Sequence, residues 1–163
     1  MKYLNIAIAN YLAQKEVDTM KTQEAGIKRV LIVKLERGDK VVESLKKACD
    51  RHKIESGIIT GIGAVSKARV IEGKSTEHLD PNPQDFDGPM EISNATGNVA
   101  KKDGDVYIHL HVSLGRKDFS TLNGHLVEGE IYLVGEFFIF EIDGKLERAL
   151  DETIKMFVWD MNQ

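Results

Sequence analysis

Val106-Tyr107-Ile108-His109-Leu110-His111-Val112-Ser113-Leu114-Gly115 is followed, after Arg116 to Ser120, by Thr121-Leu122-Asn123-Gly124-His125-Leu126-Val127. Apolar and polar residues alternate through most of both stretches, the period-two pattern of half-buried strands. The short polar segment between them predicts an antiparallel hairpin. With Arg116–Ser120 as a five-residue loop, Gly115 pairs with Thr121. Counting back along both strands then sets His111 directly opposite His125. Opposed residues have Cβ atoms about 4.5–5.5 Å apart. His109 lies two residues from His111, hence on the same face, at about 7 Å. Three imidazoles on one patch at that spacing can converge on one ion. Neutral imidazole at about 2.0–2.1 Å from Zn²⁺ is the commonest such chemistry, and three protein ligands leave a fourth position open. The spacing thus predicts a metal site of His109, His111 and His125, holding zinc or another divalent transition metal. The competing reading is three histidines that hydrogen-bond to neighbours or lie at a subunit interface.

Working outward, the residues from Met90 on predict a mostly antiparallel sheet. Glu91–Val99 reads as a strand and Lys102-Asp103-Gly104 as its turn. Glu128-Gly129 reads as a second turn, before a long apolar strand from Ile131 to Ile142 that ends at Asp143-Gly144. That register sets Glu136 on the histidine face but about 13 Å along the sheet, too far to be a ligand. Phe157-Val158-Trp159 is a last apolar piece. Upstream, the β-branched run Val30–Leu35 predicts a buried strand. Asp39 is placed to cap a helix. Its apolar positions Val41, Val42, Leu45, Ala48 and Cys49 trace one face. Cys49 on that stripe reads as a core thiol.

Ile58-Ile59-Thr60-Gly61-Ile62-Gly63-Ala64-Val65 reads as a strand interrupted by glycines. A dinucleotide fingerprint needs a third glycine where Ser66 stands, and a helix whose amides face the phosphate. The segment runs on as strand through Ile71, so a bulge or a close backbone approach is expected instead. Residues 73–89 contain all three prolines and read as one long loop carrying His78. The fold class is therefore α+β, a mainly antiparallel sheet with one principal helix packed on it.

The chain's 163 residues make one domain, with residues 28–163 as that domain and residues 1–27 as an N-terminal extension or peripheral element. Asn5 and Asn10 interrupt the apolar start, against a secretory signal, and no apolar run reaches membrane-spanning length. A cytoplasmic location is expected. One cysteine excludes an intramolecular disulfide and cysteine-cluster zinc sites. A net charge of −4 argues against nucleic acid unless basic residues are segregated. The one candidate stripe is Lys28–Lys53, with nine basic and four acidic residues, which reads more simply as a solvated helix face.

His109-Leu110-His111-Val112-Ser113-Leu114, Gly124-His125-Leu126-Val127-Glu128-Gly129, the glycine segment 61–65, Glu91-Ile92 and Thr96-Gly97-Asn98 together resemble the PPC domain shared by plants and prokaryotes. The resemblance covers about residues 28–160. It implies an antiparallel α+β fold assembling as a homotrimer. Prokaryotic members generally carry a DNA-binding label. The sequence departs from the plant members at two points. Their AT-hook core, Arg-Gly-Arg-Pro, has only Arg37-Gly38-Asp39 as a counterpart here. Their partner-recruiting hexapeptide, Gly-Arg-Phe-Glu-Ile-Leu, aligns with Gly88-Pro89-Met90-Glu91-Ile92-Ser93.

Ile131–Val134 and Phe137–Phe140 are apolar on both faces of one strand, which points to cover from a partner subunit. Two function classes follow. One is a homotrimeric DNA-associated or regulatory module with a three-histidine metal site. The other is a zinc-dependent enzyme or small-ligand sensor using a metal-bound water.

Overall fold

A computed structural model describes residues 20–72 and 82–161. The elements in chain order are β1 (Gly26–Glu36), α1 (Val41–His52), β2 (Gly57–Ile71), β3 (Gln84–Lys102), β4 (Asp105–Gly115), β5 (Thr121–Asp143), β6 (Glu147–Asp151) and β7 (Met156–Trp159). All strands join one sheet. Its pairings are antiparallel except β3 with β6. β2 pairs with β3 and β5, and β4 bridges the same two strands. These four strands therefore form a closed ring of hydrogen-bonded neighbours. β1 extends the ring along β5, and the β6–β7 hairpin extends it along β3.

Alternation decides what enters the core. Leu110, Leu114, Ile131, Phe137 and Ile139 point inward and are fully buried. The helix adds Val41, Leu45 and Cys49, all at 0% exposure. Each such Val or Leu contributes about 1.5–3 kcal/mol relative to an exposed position. Burial pushes the Cys49 thiol up to about 12, which suits a packing role.

The helix N-terminus departs from the expectation for Asp39. The preceding residue, Lys40, makes no side-chain cap, and Asp39 accepts instead from the Glu36 amide at 2.8 Å. The cap comes from Glu128, 86 residues away from Val42. Its Oε1 accepts from the Val42 amide at 2.8 Å and its Oε2 from the Glu43 amide at 3.2 Å. A carboxylate also complements the positive end of the helix dipole.

Glu128-Gly129 is correspondingly not a turn. β5 runs unbroken from Thr121 to Asp143. A side chain at Gly129 would press on Val65 and Val41, so this glycine makes room for packing against the helix. The expected position of Glu136 fails with that turn; Glu136 pairs with Lys34 and Ile62, on the β1–β5–β2 part of the sheet.

The glycine segment behaves as expected. The β2–β3 register shifts between Gly61 and Gly63. A Cβ at Gly61 would collide with the Phe137 ring, and one at Gly63 with the Val134 carbonyl. The long loop is shorter than the prolines suggested, because β3 begins at Gln84. Pro89 is tolerated inside β3 where the register shifts between Val65 and Lys67. Pro81 and His78 lie outside the described residues, as do residues 1–19. β6 was not legible as a strand; only two residue pairs tie it to β3.

On the outer face of β1, β5 and β2 the cross-strand rows are Val30–Phe140–Ile58 and Ile32–Phe138–Thr60. Ile32 is 74% exposed, Ile62 55% and Leu133 58%. The apolar outer face expected from the Phe137–Phe140 run therefore exists, with Phe137 and Ile139 turned inward and Phe138 outward. Among the described residues no helix is long and apolar enough to cross a membrane.

Candidate metal centre

The hairpin register is the one the loop length predicts: Gly115 pairs with Thr121 and His111 with His125. Leu110 and Val112 point into the core, so His109 and His111 emerge together on the opposite face. One ligand atom from each of the three rings lies within 4.8 Å of the others. Ring centroids are 5.0 Å apart for His109–His111 and His109–His125, and 5.5 Å for His111–His125. The Nε2 atoms of His109 and His111 are 3.2 Å apart. A tetrahedral ion with ligand bonds of about 2.0–2.1 Å sets its ligand atoms about 3.3–3.4 Å apart. The donor set and its spacing therefore fit a transition ion.

Neighbouring strands fix these side chains. On β3, Thr96 pairs with His111, Gly97 with Leu110 and Asn98 with His109. A Cβ on Gly97 would drive into the His109 carbonyl, so only glycine lets β3 lie this close behind the site. Gly124 plays the same part beside His125, where a Cβ would lie 2.6 Å from the Ile71 carbonyl oxygen.

A residue that the sequence reading missed completes the surroundings. Arg148, on β6, donates from Nη2 to His109 Nδ1 at 2.8 Å and to Asn98 Oδ1 at 3.0 Å. Its Nη1 donates to the Phe157 carbonyl at 2.8 Å. Its Nε is buried without a partner among the described residues. Burial, then the positive charge of Arg148, then His125 and His111, hold His109 down to about 4. Burial first, then His111 and Arg148, also lower His125. His109 therefore stays neutral, the state a metal needs, well into the acid range, and His125 is shifted in the same direction. Nothing local in sequence joins Arg148 to the histidines. Tyr107 did carry a signal: it continues the 107–109–111 alternation onto the same face, and it lines the same pocket.

That pocket has a volume of about 580 Å³ and lies over the three histidines. Its remaining walls come from Ile71, Glu72 and Asn123, and from Lys155, Met156 and Phe157 on the C-terminal hairpin. His52, at the end of α1, is not part of it.

The candidate basic stripe at Lys28–Lys53 is partly neutralised. Lys46 pairs with Asp50, Lys47 with Glu43 and Lys34 with Glu36, while Lys28 and Arg29 pair with Glu141. Arg37, the lone arginine of the AT-hook counterpart, lies over the Tyr132 ring at 5.4 Å.

Fold and site together define a mostly β protein, one sheet with one helix packed on it, that carries a candidate metal centre. The Plants and Prokaryotes Conserved (PCC) domain matches residues 22–143, and the chain belongs to that family. Three solved structures are similar over 86% of this chain. A plant- and prokaryote-conserved (PPC) protein of Pyrococcus horikoshii is 30% identical, with 97% of its chain covered and a TM-score of 0.76. A metal-containing protein of Archaeoglobus fulgidus is 28% identical, with 99% covered and a TM-score of 0.77. A putative DNA-binding protein of Bacteroides thetaiotaomicron is 29% identical, with 100% covered and a TM-score of 0.73. No curated protein matches the chain.

Proposed function

We propose that this protein is a homotrimeric, metal-binding regulatory module whose His109, His111 and His125 hold one zinc or similar divalent ion per subunit. The observation that carries this reading is the convergence of three ring nitrogens within 4.8 Å on a rigid hairpin. The metal-containing relative from Archaeoglobus fulgidus supports it. The ion would supply Lewis acidity at an open coordination position. The chain's own residues position the three rings, keep His109 neutral and shape the pocket above them. Cobalt(II) titration tests the site. Three imidazole ligands should give an intense visible spectrum that reaches its maximum at one equivalent and is absent from His111→Ala. No visible band on cobalt addition would contradict the reading.

The trimer rests on the outer apolar face of β1, β5 and β2. A run of residues such as Ile32, Ile62, Leu133 and Phe138 left in water is unusual for a monomer. Covering it with second and third copies removes that cost. Light scattering should give three times 18.2 kDa; a stable particle of one subunit mass would contradict it.

A DNA-associated role is the second reading, favoured by the name of the Bacteroides thetaiotaomicron relative. Any such binding should weaken steeply as salt rises. Absence of duplex binding at low salt would remove it. An enzymatic role through metal-bound water is compatible with the same pocket, where Glu72 is the one carboxylate among the lining residues.

A further inference from the structure

The walls of the pocket carry more positive charge than the structure compensates. Lys102 Nζ sits 3.6 Å above the Phe157 ring and 5.6 Å from the Tyr107 ring. Arg148 also lies over the Tyr107 ring, its guanidinium carbon 5.2 Å from the centroid. Neither cation has a carboxylate partner among the described residues. Lys155 differs, being paired with Glu152. Glu72 is exposed at the rim and makes no ion pair with either cation. Two uncompensated cations beside a site for a divalent ion call for a negative ligand. Phe157, Tyr107, Ile71 and Met156 add apolar surface to the wall. A volume of about 580 Å³ exceeds what a bare inorganic anion fills and lies in the range of small organic ligands.

We propose that this pocket binds a small organic oxyanion with an apolar body, its charged end toward the metal position and the Lys102 and Arg148 cations and its body against Phe157, Ile71 and Met156. The metal anchor rests on the site proposed above; the cationic and aromatic wall does not. Part of that wall lies outside the region that defines the family. The family match ends at residue 143, whereas Arg148, Met156 and Phe157 follow it. The C-terminal hairpin thus supplies part of the ligand-facing wall.

Calorimetric titration of the full chain, zinc-loaded and metal-free, tests this with four probes: benzoate, phenyl phosphate, inorganic phosphate and benzyl alcohol. Benzoate and phenyl phosphate separate a carboxylate from a phosphate ligand; whichever binds should exceed both benzyl alcohol and inorganic phosphate by about tenfold or more, the scale of one charge-assisted contact. Lys102→Gln leaves all three histidines in place and should weaken the preferred probe by about tenfold. Equal binding of benzoate, phenyl phosphate and benzyl alcohol, or no binding of any, overturns the proposal. So does a folded Lys102→Gln that binds the preferred probe as wild type does. If zinc is not taken up, the metal reading fails separately. The metal-free titration then decides, with a preference for the aromatic anions supporting the proposal and its absence overturning it.

Discussion

Arg148 Nη2 lies 2.8 Å from His109 Nδ1, a cation donating a hydrogen bond to a ring that is also a candidate metal ligand. A guanidinium can only donate, so Nδ1 must be the acceptor and the proton of the neutral ring sits on Nε2. Metal-bound histidines usually donate their second ring nitrogen to an acceptor instead. Arg148 therefore orients the ring of the metal-free protein, but ligation through Nε2, the atom facing His111, requires the proton to move to Nδ1 and this hydrogen bond to break, so Arg148 opposes metal binding. Replacing it by Met should raise the His109 titration from about 4 toward the ordinary 6.5, as followed by NMR of the metal-free protein. The rise should be partial, because burial is the larger cause and remains. Zinc affinity should increase, because the replacement removes both the competing hydrogen bond to Nδ1 and a nearby positive charge.

The depressed His109 value also sets an acid limit on stability. Above 6.5 the ring is neutral both folded and unfolded, and its contribution is complete. As pH falls from 6.5 toward 4, the unfolded chain takes up a proton that the native site refuses, so stability is lost. Urea midpoints of the metal-free protein should drop across this window. In His109→Gln the drop should be visibly smaller. An identical pH profile in the two proteins would contradict the assignment.

Glu128 ties the hairpin carrying His125 to the start of α1. Glu128→Ala leaves the Val42 and Glu43 amides without their acceptor. It should cost about 1–2 kcal/mol in chemical denaturation, the upper range for loss of an N-cap.

Gly97 faces the His109 backbone. Gly97→Ala puts a methyl group against that carbonyl, which must move. A loss of about 1–3 kcal/mol, typical of overpacking, should accompany reduced zinc uptake. An alanine variant as stable as the wild type would show that β3 can withdraw without cost.

The distance over which each contact acts explains what was legible in the sequence. His111 opposite His125 follows from a five-residue loop, a local quantity, and the structure has that register. The burial of Cys49 and the interruption at Gly61–Gly63 follow from local periodicity in the same way. The Glu128–Gly129 pair was misread because Glu-Gly between apolar runs looks like a hairpin. Its actual roles, capping α1 and leaving room for Val41 and Val65, depend on segments far away in sequence. Arg148 was invisible for the same reason: it reaches His109 only through the parallel pairing of Lys102 with Arg148.

The most direct test of the central claim is the metal content of protein purified without an affinity tag, measured by elemental analysis before and after incubation with zinc. The account predicts one divalent transition ion per subunit. In His111→Ala, zinc affinity should fall by more than about a hundredfold, beyond the usual effect of a residue behind a ligand. In His52→Ala, at the exposed end of α1, it should not change. Protein that is metal-free as isolated and takes up no added zinc would contradict the account and reduce His109, His111 and His125 to packing.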